Sequence, residues 1–282
     1  MHARWTTCGS KGCNANGCVE DLAGVELEEY RIMYEAEDTH WWYRGLRGVM
    51  FALLGLDRAG SRQPQILDAG CGTGGNMQAL LNAGQTRLEG FDFSADALHF
   101  CRQRNLPNVK EGSIADIPFE SDRFDIVISC DVINDAGLED DAAGIRELYR
   151  VLKPGGRLFL NLPAFDFLRG EHDQATSVAR RYTRKLITRK LNSAGFVVRR
   201  ASYWNMFLFP VVLAVRLMRP GNKSDPKKPV RSDINLPHPL INTVLTRILS
   251  AEKILVRRFD LPFGSSLAVV AVKPRAARRA NG

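Results

Sequence analysis

Long apolar runs are missing from this chain. No stretch of its 282 residues reaches the roughly 18 consecutive apolar residues that a membrane-spanning helix needs. The sequence also lacks, at its beginning, the charged segment followed by an apolar one that is typical of a secretory signal. We therefore expect a protein of the cytoplasm, or one that lies on a membrane face.

Cysteine is scarce and follows no standard metal-binding pattern. The first three of the six cysteines lie in a Gly/Asn/Ser/Thr-rich segment: Cys8, Cys13 and Cys18. Their spacing matches no standard zinc site and offers only three ligands, so we expect no metal and a flexible tail over residues 1–24. A metal site, a redox element or a processed leader are the alternatives for this segment. The other three occupy places where a reduced thiol serves as a small apolar side chain: Cys71, Cys101 and Cys130.

Glycine is concentrated in one informative place. The run Ile66–Gly75 predicts a buried strand that turns at once into a helix, and the free N–H groups at a helix start bind anionic or nucleotide groups. The spacing Gly70-x-Gly72-x-x-Gly75 also fits the dinucleotide fingerprint of NAD(P) enzymes, so the glycines alone leave two cofactor classes open. Asp68 distinguishes them, because the NAD(P) fingerprint requires no acid at that position.

Two further acids follow the glycine turn at regular intervals. Asp92 comes about 20 residues later, after a second predicted strand, where a ribose-binding acid is expected. Asp116 follows in the segment Gly112–Phe119, before the predicted strand Phe124–Ser129. A helix that ends at Pro154-Gly155-Gly156 and a further strand complete the series. This ordered series resembles the class I S-adenosylmethionine (SAM) dependent methyltransferases, and among them the type 11 group that includes the ubiquinone and menaquinone methyltransferases.

The resemblance implies the cofactor and the residues that hold it. Asp68 and the glycine turn would hold the methionine part of SAM, Asp92 would hold the ribose, and Asp116 with its two neighbours would lie against the adenine. The residues carried over for cofactor binding in this region are Asp68, Gly70, Cys71, Gly72, Gly74, Asp92, Phe93, Ala115, Asp116 and Ile117.

An aromatic and cationic cluster precedes the glycine turn. Val25–Ala36 and Thr39–Leu54 are predicted helices, and the second begins with His40-Trp41-Trp42-Tyr43-Arg44. Such stripes usually pack in a core. Similar bacterial methyltransferases carry this pattern as a lid, which implies that Arg44 pairs with the SAM carboxylate and that Trp42 lines the sulfonium or the substrate entrance.

The alternation of strands and helices from Gln65 onward predicts an α/β fold with a doubly wound, seven-stranded Rossmann-like sheet. Strands Phe196–Tyr203 and Ser265–Val272 would be the sixth and seventh, and the resemblance implies that the last one is antiparallel. The predicted division of the chain is a tail (1–24), an N-terminal helical lid (25–60), a SAM-binding core (61–203), a helical and basic insertion (204–264), the last strand (265–274) and a basic tail (275–282).

The insertion of roughly 60 residues is far longer than an ordinary connection. Its apolar segment Phe207–Val215 precedes a linker rich in Arg and Lys, and a second apolar helix follows. Two interpretations stay open: helices that cover one face of the sheet, or an apolar wedge with basic residues at an anionic membrane or a substrate tunnel. The second predicts weak, salt-sensitive contact with anionic membranes.

Residues for methyl transfer are expected after the fourth and fifth strands, where ligands meet parallel sheets. His172 is the candidate general base because histidine titrates near neutral pH. Asp131 and Tyr182 are further candidates. A polar loop that simply contains a histidine is the alternative.

Several functions are disfavoured by missing motifs. After the fourth strand stands Ser129-Cys130-Asp131-Val132, with no Asp/Asn-Pro-Pro-aromatic motif for amino methylation of DNA bases or protein glutamine, and no Pro-Cys nucleophile for cytosine chemistry is present. The net charge of +8 and the pI near 9.3 are not accompanied by a recognised RNA-binding module, so nucleic acid is an unlikely partner. The leading prediction is methyl transfer from SAM to a small or lipid-like acceptor. An RNA or protein methyltransferase, a SAM-binding protein without transfer activity and an NAD(P) dehydrogenase are the alternatives.

Overall fold

The fold is described from a computed structural model. The structure describes residues 27–56, 63–106, 108–170, 173, 178–218 and 237–275. The tail with Cys8, Cys13 and Cys18, His172, and the linker residues 219–236 lie outside the described residues.

Seven strands form one sheet in the order β3-β2-β1-β4-β5-β7-β6. Their bounds are β1 Ile66–Ala69, β2 Leu88–Asp92, β3 Val109–Glu111, β4 Phe124–Cys130, β5 Leu152–Pro163, β6 Val197–Trp204 and β7 Ser266–Val272. Strand β7 pairs antiparallel with both β5 and β6, while the pairs among β1 to β5 are parallel. The predicted seven-stranded α/β sheet with an antiparallel last strand is therefore confirmed.

Helices cover both faces of the sheet. They are α1 (27–36), α2 Trp41–Leu54, α3 Gly75–Asn82, α4 Ala95–Gln103, α5 Asp141–Val151, α6 Arg184–Ser193, α7 Phe209–Met218 and α8 Pro239–Arg258. One apolar cluster joins α5 and α6 to the sheet, and a second joins α2, α3 and α8 to its other face. In the described part of the chain, no helix is both long enough and apolar enough to cross a membrane.

Side-chain caps fix where several helices begin. Ser94 accepts a hydrogen bond from the Ala97 N–H at 3.4 Å and caps α4, and Thr183 accepts one from the Leu186 N–H at 3.3 Å and caps α6. Helix α5 begins at Asp141, because the Asp140 carboxylate accepts the Ala142 N–H at 2.9 Å.

The segment Pro154-Gly155-Gly156 was predicted to end a helix, and the structure places it in a strand instead. Helix α5 already ends at Val151, and β5 begins at Leu152, so the Pro-Gly-Gly segment lies within the strand. Backbone hydrogen bonds between Gly155, Gly156 and Lys273 hold this segment to the end of β7. The pairing of β5 with β4 shifts register here, which accommodates the irregular residues.

Helices α2 and α8 pack together beside the sheet. A Cβ on Gly45 would overlap the Leu249 side chain, so the missing side chain lets the two helices approach closely. Asn242, near the start of α8, accepts the Trp41 N–H at 2.9 Å and donates to the Thr39 carbonyl at 2.9 Å. The insertion thus supports the N-terminal helix at the edge where the parallel strands end.

Candidate active site

The glycine turn lies at the carboxyl end of β1, in a conformation that only glycine adopts readily. Gly70, Gly72 and Gly74 have φ of 78°, 53° and 86°. A Cβ on Gly70 would overlap Val132, and one on Gly74 would overlap Leu106. The backbone of this turn is consequently fixed by its close contacts with Val132 and Leu106.

Asp92 ends β2 beside the turn. Its carboxylate accepts the Gly72 N–H at 2.8 Å and the Ser94 N–H at 3.1 Å, one on each oxygen. Burial raises its pKa, while these backbone N–H groups oppose the rise. Each carboxylate oxygen has a second acceptor position, so two hydroxyl groups of a ribose could still be bound.

Asp68 is a buried carboxyl group without a hydrogen-bond partner in the part of the chain that the structure describes. It is 1% exposed, and neither of its oxygens accepts a hydrogen bond from the described residues. Burial and the nearby Asp92 and Glu37 raise its pKa to about 8. A buried acid without partners is costly to a fold, and a cationic ligand would remove that cost.

A buried cation lies on the other side of the turn. Arg47 is 8% exposed, and its Nη2 atom has no hydrogen-bond partner among the described residues, although Glu37 lies 3.6 Å away. A Cβ on Gly75, at the start of α3, would overlap both the Arg47 guanidinium and the Glu37 carboxyl group. Burial lowers the Arg47 pKa, and the Glu37 charge opposes this.

Glu37 links the N-terminal helices to the core. Its Oε1 accepts the Thr73 hydroxyl at 2.5 Å and the Arg104 guanidinium at 2.8 Å. Arg104 also donates to the Thr73 carbonyl at 3.1 Å and to Asp38 at 2.8 Å. The turn between α1 and α2 is therefore tied directly to the glycine turn.

The structure changes the assignment of the cation on α2. Arg44 is exposed, which does not favour its predicted pairing with the SAM carboxylate, whereas Arg47 on the same helix is buried. The helical period could have indicated this, because Arg47 shares a face with Tyr43, Met50 and Leu54. Trp42 is half-buried and packs on Trp204, with ring centroids 5.7 Å apart.

Two other predicted cofactor residues, Phe93 and Cys71, differ in the exposure of their side chains. Phe93 directly follows Asp92 and is 64% exposed, which suits an aromatic face for a ligand. The Cys71 side chain is buried instead, with its Sγ 3.9 Å from the Cys101 Sγ, so only its backbone could contact a ligand.

The segment after β3 is arranged differently from the prediction. Ile117 is buried in the core and donates its N–H to Glu147 at 2.9 Å, so it is not free for adenine. Asp116 lines another depression, with Lys110, Arg123 and Arg150, and Ala115 is exposed. The part of this segment beside Asp92 is Gly112, whose N–H donates to the Asp92 carbonyl at 3.0 Å, followed by Ser113.

Asp131 follows β4 and is held by a chain of two hydrogen bonds. The Trp204 indole N–H donates to Asn161 Oδ1 at 2.8 Å, and Asn161 Nδ2 donates to Asp131 Oδ2 at 2.7 Å. Because an indole N–H can only donate, it orients the amide so that its NH₂ group faces Asp131. Burial raises the Asp131 pKa to about 7, although the Asn161 hydrogen bond lowers it.

Tyr182 does not have the position of a catalytic residue. It is 1% exposed, and its hydroxyl lies 2.8 Å from the Asp141 carboxylate and 3.1 Å from the Ile133 carbonyl. The predicted catalytic role is therefore not supported, because the hydroxyl is used within the core. His172 lies outside the described residues, while its neighbour Asp173 is buried and pairs with Arg181 at 2.7 Å.

Sequence comparisons match this chain to methyltransferases. A family model described as a methyltransferase domain matches residues 67–160. An uncharacterised methyltransferase of Bacillus subtilis is 31% identical over 147 residues, which cover 51% of this chain and 75% of that protein. A demethylmenaquinone methyltransferase of Chlorobaculum tepidum is 33% identical over 106 residues, covering 37% of this chain and 43% of that protein. The chain thus spans less than half of this second relative.

Solved structures share the fold. A chain of the complex between the Haloferax volcanii Trm112 methyltransferase activator and a methyltransferase aligns with a TM-score of 0.57 at 19% identity, covering 93% of this chain and 100% of that one. A Haemonchus contortus phosphoethanolamine N-methyltransferase in complex with SAM aligns with a TM-score of 0.53 at 17% identity, covering 90% of this chain and 57% of that one. With the matching domain and the Bacillus relative, these findings show that the chain belongs to the class I SAM-dependent methyltransferases, in the type 11 group.

Proposed function

We propose that this protein transfers a methyl group from SAM to a small, apolar or lipid-like acceptor. The observation that carries the proposal is a buried carboxyl group and a buried guanidinium nitrogen beside the glycine turn, neither of which has a hydrogen-bond partner among the described residues: Asp68 and Arg47 Nη2. An α-amino acid group next to a sulfonium supplies the matching charges, since its carboxylate suits Arg47 and its cationic centres suit Asp68.

The remaining contacts complete a nucleoside site. Asp92 would accept the ribose hydroxyls, and Phe93 would offer an aromatic face. We assign the adenine end to Gly112 and Ser113 rather than to Asp116, because Gly112 is hydrogen-bonded beside Asp92. The residues therefore fit SAM, with Arg47 and Ser113 replacing two of the residues that the family resemblance suggested.

When bound, SAM supplies a methyl group on a sulfonium, which leaves as a neutral thioether. The protein's task is then to align the acceptor and, where the acceptor loses a proton, to take it up. We propose Asp131 as the group that takes the proton. It lies at the carboxyl end of β4, next in the sheet to β1, and one of its carboxylate oxygens is held by Asn161. Its pKa near 7 suits proton transfer at neutral pH.

Aromatic side chains near the same edge support an apolar acceptor. Phe165 follows β5 and stacks between Tyr203 and Phe167, with ring centroids at 4.7 and 5.1 Å. It has φ of 54°, which is rare for a bulky side chain and is found where the surroundings or the function require it. Phe209 and Phe263 extend the group. Planar or prenyl-like acceptors would pack against such a surface.

Calorimetric titration tests the cofactor. We expect SAM and S-adenosylhomocysteine to bind and NADH not to bind. Asp92→Ala should weaken SAM binding roughly tenfold or more, because hydrogen bonds to a charged group are each worth about 1.5–3 kcal/mol. Glu111→Gln is a matched control, since Glu111 pairs with Asp92 in register on β3 but is exposed.

The outcome that rules out the proposal is equally specific. Unchanged SAM affinity in both Asp92→Ala and Arg47→Gln would mean that the glycine turn binds something else. Binding of NADH in preference to SAM would show that the glycine turn is a dinucleotide-binding site. Because Asp92 also holds the Gly72 N–H, circular dichroism of each variant must first establish that the fold is retained.

A further inference from the structure

Large apolar side chains are exposed on two helices of the insertion. On α7 these are Val211 and Val215, one turn apart, and on α8 they are Leu240, Ile241 and Val244. Leu240 and Val211 are 71% and 62% exposed. Exposed apolar side chains of this size, grouped within one or two turns on each helix, are candidates for an interaction site. We call these five residues the apolar rim.

The apolar rim lies at the same edge of the sheet as the candidate active site. Helix α7 begins directly after β6, and Phe209 in its first turn packs against Phe165, which follows β5. The first turn of α8 is fixed beside Trp41 through Asn242. Glu252 of α8 accepts the Met206 and Phe207 N–H groups at 2.8 and 3.1 Å, so the two helices are also joined where the chain leaves β6.

The rest of α8 has a different environment. Its Leu249 and Val256 are buried, and Leu249 packs against Gly45 of α2. One side of the helix is therefore used for internal packing, while its first turns keep apolar side chains in solvent. An internal packing role accounts for the buried residues and leaves the apolar rim unexplained.

Charge favours a negatively charged partner. No acidic residue occurs in α7, and the first one in α8 is the buried Glu252. Arg247 of α8 is exposed. The sequence from Arg216 to Pro237, which leads from the first helix to the second, contains six Arg and Lys and two acids, Asp225 and Asp233. Apolar side chains beside positive charge are the combination that binds the interface of an anionic bilayer.

We infer that the apolar rim docks the mouth of the active site on an anionic lipid bilayer, from which the acceptor enters. The inference rests on the proposed function in one respect, the lipid-like acceptor. A protein seated over these two helices would cover the mouth, whereas a bilayer would supply an apolar substrate to it. Neither helix needs to cross the membrane, because amphipathic helices bind by inserting one face.

Vesicle co-sedimentation of the full chain without SAM tests this inference. We use vesicles of phosphatidylcholine alone and of phosphatidylcholine mixed equally with phosphatidylglycerol. The protein should sediment with the anionic vesicles at low salt. It should be released as salt shortens the Debye length from about 10 Å at 0.1 M to about 3 Å at 1 M.

Variants locate the binding surface. Val211→Ser with Val215→Ser, and Leu240→Ser with Val244→Ser, should each weaken vesicle binding roughly tenfold or more, because they remove apolar groups that would insert. Ile254→Ser is the matched control, since Ile254 is 61% exposed on the same helix but lies in its other half. It should bind like the wild type.

Three results would overturn the inference. Equal recovery in the supernatant with both lipids would exclude a membrane role for the apolar rim. The same loss in Ile254→Ser would show that binding is not specific to the rim. A dimer in light scattering that the rim variants dissociate would assign this surface to a second copy of the chain. SAM binding by calorimetry is measured separately, so failure of vesicle binding leaves the proposed function standing.

Discussion

Asp68 destabilises the ligand-free fold and, in the proposed function, binds the cofactor. Its buried carboxyl group has no hydrogen-bond partner among the described residues. Its pKa of about 8 means that the folded protein holds the proton while the unfolded chain, above about pH 4, does not. The free energy of unfolding therefore decreases between about pH 4 and pH 8 because of this group.

Asp68→Asn should accordingly stabilise the ligand-free protein and weaken SAM binding. We expect the free energy of unfolding to rise by roughly 1–3 kcal/mol at pH 8, with little change near about pH 3, where Asp68 is mostly protonated in both states. Denaturant unfolding at the two pH values measures the first effect, and calorimetry measures the second. A variant that is destabilised at pH 8 would show that Asp68 has a partner in the folded protein.

Asp131 should control how turnover depends on pH. If it takes up the acceptor's proton, turnover should increase with pH and level off above about 7, because only the ionised form accepts a proton. Asp131→Asn should lower turnover by about 10² or more and leave SAM affinity unchanged. His172→Ala is the informative comparison: a large loss there, with activity retained in Asp131→Asn, would transfer the role to His172.

Trp204 should act on Asp131 through Asn161. Trp204→Phe removes the indole N–H that orients the Asn161 amide, so the hydrogen bond that favours ionised Asp131 is weakened. The midpoint of the pH–rate profile should rise by roughly 0.5–1 pH unit. Trp42→Phe is the control, because Trp42 packs on Trp204 without bonding to Asn161. An unchanged midpoint in Trp204→Phe would limit Trp204 to packing.

At the scale of elements, the contact between α2 and α8 joins the N-terminal helices to the insertion. Gly45→Ala should destabilise the protein by roughly 1–3 kcal/mol, since the added methyl group overlaps Leu249. Gly48→Ala is the matched control on the same helix. Its Cβ would lie 3.1 Å from the movable Lys253 side chain, and alanine favours the helix, so we expect a neutral or slightly stabilising change.

Thermal unfolding of the two variants, with Leu249→Ala and the Gly45→Ala/Leu249→Ala double variant, completes the test. The double variant should be more stable than the sum of the single changes predicts, because the smaller side chain makes room for the methyl group. Additive effects would mean that Gly45 is required by the backbone of α2 rather than by contact with α8.

At the scale of the whole molecule, the sheet could be predicted from the sequence, because its strands, glycine turn and acids are each recognised from residues that are close together along the chain. The turn at Gly70–Gly74 and the caps at Ser94 and Thr183 follow from residues within a few positions of each other. The burial of Arg47 rather than Arg44 depends on Glu37, Gly75 and Arg104, which come together only after folding. The position of Asp116 was equally inaccessible, because it depends on the turn after β3, which leaves Gly112 hydrogen-bonded to Asp92 and Asp116 in a depression with Lys110 and Arg123.

Buried acids should also give the whole protein an unusual pH dependence. Burial raises the pKa of six carboxyl groups in the described part of the chain: Glu37, Asp68, Asp92, Asp131, Asp135 and Glu252. The pKa is lowered for fewer of the described acids, and Glu147, which lies beside Arg150, is one of them. A folded state that binds more protons than the unfolded state becomes less stable as pH rises. We therefore expect the melting temperature of the ligand-free protein to fall between about pH 5 and pH 8.

SAM should reverse part of this fall. Its positive charge favours ionised Asp68, so binding should release a proton near neutral pH, and affinity should increase with pH up to about 8. S-adenosylhomocysteine, which lacks the sulfonium charge, should release less. Calorimetry in buffers of different ionisation enthalpy measures the released proton directly, and Asp68→Asn should abolish it. Equal proton release by both ligands would mean that Asp68 responds to the amino group rather than to the sulfonium, and would move the methyl group away from β1.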